Sequence, residues 1–175
     1  MIRRVIAALA ALVAVAALYW FQPWKLFTDR TVSETLPPVV SIEPSLPAGP
    51  GGGEPSRTPS RKVVARGEFV THEHDTTGAA RLVRETDGTH RLELVGLDTS
   101  NGPDLRVWLS DQPVREGRAG WHVFDDGDHV ELGRLKGNRG DQSYAVGADV
   151  DLERLRSVSI WCERFSVSFG AAELR

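Results

Sequence analysis

From residue 67 to the C-terminus, short runs in which apolar and polar residues alternate recur between clusters of Gly, Asp, Asn and Pro. They occupy 68–71, 79–84, 90–95, 105–110, 130–132, 143–146, 158–162 and 165–169. A period of two marks half-buried strands, and about eight of them in a span of this size predict an all-β fold, a β-sandwich of short antiparallel strands. Only 149–156 has helical spacing, a short turn carrying Leu152 and Leu155 at i and i+3. The expected core is Phe69, Leu82, Leu92, Leu94, Leu105, Val107, Leu109, Leu132, Val158, Ile160, Phe165, Val167 and Phe169.

The densest β-pattern, 158–172, changes phase within itself. Val158, Ile160 and Cys162 share one face of a strand, whereas Phe165, Val167 and Phe169 fall on odd positions. One unbroken strand cannot bury both sets, so a turn or bulge is expected at Glu163-Arg164. Neither residue favours positive φ, which points to a bulge or a longer loop rather than a two-residue hairpin turn.

Upstream the pattern is of another kind. Arg3-Arg4 precede an uncharged run from Val5 to Phe21, which at about 1.5 Å per residue is just long enough to cross a bilayer core of about 30 Å with its flanking residues snorkelling. Tyr19, Trp20 and Trp24 gather at its far end, as aromatics do at a membrane interface, and the basic pair suits the cytoplasmic side. Residues 1–27 therefore read as a single-pass membrane anchor, or as a signal with Ala14-Val15-Ala16 as its cleavage site. Both readings export the rest of the chain. Residues 28–66 hold seven prolines and the run Gly51-Gly52-Gly53, the composition of a disordered linker or stalk. The organisation expected is an anchor, a linker, and a domain over 67–175 on the extracytoplasmic side of the cell membrane.

Charge and cysteine content narrow the function. The whole chain of 175 residues carries a net charge of −3, with its acidic excess in the C-terminal domain, so it has no basic footprint for nucleic acid. A single cysteine, Cys162, excludes an internal disulfide. In an exported protein it leaves a buried thiol, a reactive thiol, an intermolecular bridge or a cofactor ligand. Gly-x-Ser-x-Gly, phosphate-loop and paired-histidine zinc motifs are absent from the sequence, which offers no residues for hydrolase or kinase chemistry.

Three segments together resemble the DM-thirteen domain, the electron-transfer DM family. They are Asn101-Gly102-Pro103-Asp104-Leu105-Arg106-Val107-Trp108-Leu109-Ser110, the stretch from Glu131 to Tyr144 around Lys136-Gly137-Asn138-Arg139-Gly140, and Ile160-Trp161-Cys162-Glu163-Arg164-Phe165-Ser166-Val167-Ser168-Phe169-Gly170. The opening Gly67-Glu68-Phe69 and the turn at His74-Asp75-Thr76-Thr77-Gly78 fit as well, while Val146-Gly147 departs from the apolar-proline pair more usual there. The resemblance implies an extracytoplasmic all-β domain, similar in architecture to DOMON-type cytochrome domains. It also implies a redox role proposed to run through Cys162.

A lone thiol transfers electrons only with a cofactor on its thiolate or a sulfur on a second protein. Haem is the first candidate cofactor, with Cys162 as one axial ligand, His74 as the preferred second, and Trp161 and Phe165 as apolar walls. The other histidines, His72, His90, His122 and His129, are further candidates, and covalent c-type attachment is excluded because no Cys-x-x-Cys-His exists. Copper ranks below haem, because the only methionine is Met1 and the usual weak axial ligand is missing. His72-x-His74 would place two imidazoles on one face of a strand. Against all of these stands an inert Cys162, packed as a small hydrophobe beside Val158 and Ile160. Asp125-Asp126-Gly127-Asp128 lacks the ligand spacing of a calcium loop, and Arg139-Gly140-Asp141 lies inside a family-like turn. Two functions are carried forward. One is a membrane-anchored electron-transfer domain centred on Cys162 and meeting a redox or envelope protein. The other is a non-catalytic extracytoplasmic binding module with a structural cysteine.

Overall fold

The computed structural model describes residues 1–39 and 60–175. The middle of the expected linker lies outside the described residues. The chain begins with α1 (Ile2–Phe21), which buries none of its side chains in the domain and is long and apolar enough to cross a membrane. A 3-10 turn (Pro23–Phe27) follows. Nine strands follow among the described residues: β1 (Thr31–Ser33), β2 (Lys62–Thr71), β3 (Thr77–Arg84), β4 (His90–Asp98), β5 (Leu105–Ser110), β6 (His129–Arg134), β7 (Arg139–Val146), β8 (Ser157–Cys162) and β9 (Val167–Glu173). The eight expected runs are β2 to β9. The expected helical turn at 149–156 is a single turn, in which Leu155 N–H donates to Asp151 O at 2.9 Å.

The strands form one sheet in the order β1-β7-β4-β3-β2-β9-β8-β5-β6. It curls on itself because β2 serves both halves. Residues Lys62 to Glu68 pair with β3, and Phe69 to Thr71 pair with β9. The two halves face each other across a core in which Leu82, Leu92 and Leu94 meet Val107, Leu109, Val158 and Ile160, all buried. Two expected core residues differ. Leu132 is only partly buried, and Phe165 is 40% exposed.

The ninth strand lies inside the segment expected as a linker. Thr31–Ser33 pair in parallel with Arg139–Asp141, the only parallel pairing among the described residues, and Lys62–Arg66 also belong to β2. Gly140 makes the first pairing possible, because its φ of +95° suits glycine and a Cβ there would meet Val32 O at 2.1 Å. Asn138 clips the same segment down, accepting from Arg30 N–H at 2.7 Å and donating to Asp29 Oδ1 at 2.9 Å and Thr99 O at 2.7 Å. Glu34 then accepts from Lys136 Nζ at 2.5 Å and from Ser143 N–H at 2.9 Å. The chain is thus fastened to the domain over residues 29–34, and only residues 22–28 separate that fastening from α1.

A second, smaller core covers the outer face of β8 and β9. The excursion between β5 and β6 folds back over it, and Trp108, Phe124, Trp161 and Ala171 pack together beneath.

Candidate functional site

The loops 72–76, 99–104 and 135–138 and the turn 163–166 gather at one end of the sandwich. The pairings Thr71 with Gly170, Thr77 with Asp98, Leu105 with Cys162 and Cys162 with Val167 bring them there. The phase change in the densest β-run is the hairpin loop Glu163–Ser166, a longer loop as expected. Phe165 N–H donates to Cys162 O at 3.2 Å, and Ser166 takes a left-handed φ of +48°. The hairpin turns Cys162 and Val167 toward the same core.

Cys162 is the last residue of β8 and has no solvent exposure. Burial pushes its thiol pKa up from the usual value, and the Glu73 carboxylate acts in the same direction. The nearby backbone amides of Phe165, Asp104 and Arg164 act the other way, and burial outweighs them. These amides belong to the two loops that close the end of the domain, and Glu163 N–H donating to Asp104 O at 3.0 Å holds those loops together.

The other expected site residues divide between locations. His74 lies at the same end, its ring 4.0 Å from that of Phe169, a member of the Cys162 core, and its Nε2 is 3.5 Å from the Glu73 carboxylate. Trp161 is not beside the thiol. Adjacent residues of a strand face opposite ways, and Trp161 stacks on Trp108 in the outer core with ring centroids 4.9 Å apart. Phe165 points out of the domain and stacks on Phe21 of α1 at 5.8 Å. His72 and His74 do not share a face either. Strand pairing ends at Thr71, and beyond it His72 packs against Phe124 while His74 packs against Phe169.

His72 belongs to a buried polar relay that the sequence did not single out. Its Nδ1 is 2.8 Å from Ser168 Oγ, its Nε2 is 3.0 Å from Arg115 O, and Ser159 Oγ donates to Ser168 Oγ at 2.9 Å. A neutral imidazole satisfies every member, with Nε2–H donating to the carbonyl and Nδ1 accepting from Ser168. Burial holds its pKa below the usual value. Ser159 and Ser168 alternate with apolar residues and so read as solvent-facing; the covering excursion makes them interior.

Neither cofactor considered from the sequence fits these residues. A macrocycle needs an open slot at the thiolate, yet Cys162 is fully enclosed, and the cleft at this end is bounded by its strand partner Leu105 rather than by the cysteine. Among the described residues no group of three His, Cys, Asp or Glu side chains converges as copper would require.

A family model described as electron transfer DM13 matches residues 68–174, so the chain belongs to that family. Comparison with curated proteins and with solved structures returned no match.

Proposed function

We propose that this chain is a membrane-tethered, extracytoplasmic electron-transfer domain that works through the Cys162 thiol and a sulfur on a partner protein. Membership of the electron transfer DM13 family supplies the reaction class. The observation that carries the assignment to Cys162 is its setting: the one thiol of the chain, the last residue of β8, enclosed where the loop 99–104 and the turn 163–166 close the end of the domain. Backbone amides of those loops lower its pKa against the effect of burial, and so favour a thiolate once burial is relieved. The turn Glu163–Ser166 is the cover, and because it lies beyond the last β8–β9 pair, Cys162 with Val167, it can open without unfolding the sheet.

In the open form the Cys162 thiolate attacks one sulfur of a partner disulfide. A Cys162–partner bond forms as the partner's S–S bond breaks, the departing partner sulfur leaves as thiolate, and the Cys162 proton passes to solvent. A thiol of the partner or of a third protein then attacks the mixed disulfide and returns Cys162 to its reduced form. The apolar helix α1 after Arg3-Arg4 supports tethering with the domain outside the cytoplasm.

The second reading is the non-catalytic binding module, favoured by the complete burial of Cys162. Exchange with a small aromatic disulfide, followed across low urea concentrations, separates the two. Gated chemistry gives a rate that is almost independent of urea below the unfolding transition, because only a turn opens. A rate that rises with urea as steeply as global unfolding would show that Cys162 is core filler. A Soret or thiolate-to-copper band that disappears in Cys162→Ser would instead restore a bound cofactor.

A further inference from the structure

The end of the domain that holds Cys162 is also the end at which α1 stops. Arg164, in the covering turn, stacks its guanidinium over the Trp20 ring at 5.2 Å from the centroid and donates to the Trp20 carbonyl. Phe165 stacks on Phe21, Lys25 Nζ donates to Pro103 O at 3.2 Å, and Asn101 Nδ2 donates to Thr28 O at 3.0 Å. The loops that cover the thiol are therefore the ones against the helix terminus.

Two features of this junction face outward from the domain. The first is a belt of aromatic side chains left in solvent: Tyr19, Trp20, Phe21, Trp24 and Phe165 are 72, 57, 56, 50 and 40% exposed. Aromatic rings with an apolar body and a polar edge settle at the headgroup level of a bilayer, and here one of them comes from the folded domain. The second is a cleft of about 480 Å³ beside the belt, to which Lys25, Arg30, Arg134 and Lys136 contribute four basic side chains and Asp104 the single carboxylate. Asp104 is paired with Arg106 at 2.8 Å and Arg134 at 3.3 Å, and Lys136 with Glu34 at 2.5 Å, so the positive charge the cleft offers a ligand is chiefly that of Lys25 and Arg30. A cationic cleft in an otherwise acidic domain, set at the end of an apolar helix, complements lipid phosphate.

We propose that this end is a membrane-docking face, seated on a headgroup layer containing anionic phospholipid, so that the turn covering Cys162 lies at the lipid surface. The proposal rests on α1 spanning the membrane. It makes the partner of Cys162 one that presents its sulfur at the membrane surface.

Lipid quenching in nanodiscs tests it. Full-length protein in a Cys162→Ala background, with folding checked by circular dichroism, carries a bimane label at one of three positions. Glu163→Cys reports the docking end, Asp87→Cys the tip of the β3–β4 hairpin at the opposite end, and Ala10→Cys the middle of α1. Headgroup-spin-labelled phosphatidylcholine is the shallow quencher and 12-doxyl phosphatidylcholine the deep one, with and without phosphatidylglycerol. Docking predicts deep quenching at position 10, and shallow quenching at 163 that strengthens with phosphatidylglycerol, weakens with salt and drops to the level of position 87 in Arg164→Glu/Phe165→Ser. Deep quenching at 10 with equal, weak quenching at 163 and 87 overturns the docking face and leaves the anchor standing. No quenching at 10 overturns the anchor itself.

Discussion

Replacing Asn138 tests how firmly the segment after α1 is held. Its side chain is 1% exposed and makes three hydrogen bonds, from Arg30 N–H at 2.7 Å, to Asp29 Oδ1 at 2.9 Å and to Thr99 O at 2.7 Å. In Asn138→Ala the exposed partners, Arg30 N–H and the Asp29 carboxylate, are rehydrated, so each loses only the net value of about 1 kcal/mol. Thr99 is 3% exposed and its carbonyl has no such recourse; stranding it costs about 1–3 kcal/mol. Together these come to about 3–5 kcal/mol, or on the order of 15 °C in Tm for a domain of this size.

The assay is thermal and urea unfolding of the full-length protein in micelles, with hydrogen exchange as the local readout. In Asn138→Ala the amides of β1 should lose protection while those of β8 keep it, because the clip holds an edge strand and not the core. Asn138→Asp keeps the acceptor for Arg30 but sets a second carboxylate against Asp29 and Thr99 O, and should cost more than alanine. Exchange in β1 unchanged from wild type, or a loss below about 0.5 kcal/mol, would refute the idea that this side chain fastens the segment.

Four other outcomes follow from particular contacts. Glu93, fully buried, accepts from Arg61 at 2.5 Å and Arg81 at 2.6 Å, so Glu93→Ala leaves two guanidinium groups facing each other and should cost about 3–5 kcal/mol in urea unfolding; under about 1 kcal/mol would mean that water replaces the carboxylate. Burial lowers the His72 pKa in the folded state, so the unfolded chain binds the extra proton first; this contribution to stability is complete above about pH 6.5 and is lost as pH falls below it, a slope that His72→Gln should flatten. Burial raises the Cys162 pKa, so the opposite limb applies: stability is complete below the usual value of 9.0 and declines as pH rises past it, and the decline should shrink in Cys162→Ala. A Cβ on Gly170 would lie 2.5 Å from Thr76 Cβ, and Thr76 is tied by its hydroxyl to His74 O, Phe169 O and Thr99, so Gly170→Ala should destabilise by about 1–3 kcal/mol in thermal unfolding.

β2 to β9 were readable from the sequence because alternating apolar residues record the face turned to the main core, even in β8 and β9, whose outer face is covered as well. β1 was not, since Thr31-Val32-Ser33 offers one apolar residue and no period; the information that makes it a strand lies in its partner, in Gly140 and Asn138. The apolar residues of β8 and β9 were placed correctly in the core, yet the same rule of alternation that buried Cys162 should have sent Trp161 to the opposite face. Grouping the two around one ligand gave adjacency in sequence a weight that a strand denies it. Phe165 was misread as core for a different reason. As a large apolar residue in a four-residue loop it has no face, and its neighbour is supplied by the helix.

The position of Cys162 is best understood from what a strand end can offer. Within β8 the backbone donors are committed to β5 and β9, so a thiol at Val158 or Ile160 would meet only apolar side chains. At position 162 the ladder ends, and the amides of Arg164, Phe165 and Asp104 act on the thiol against the effect of burial. Burial is the larger influence and keeps the thiol protonated, so the amides favour a thiolate only with the enclosure lifted. The proposed exchange reaction requires both conditions of its thiol, and the urea dependence of thiol exchange decides whether the enclosure lifts at the turn or only with the whole domain.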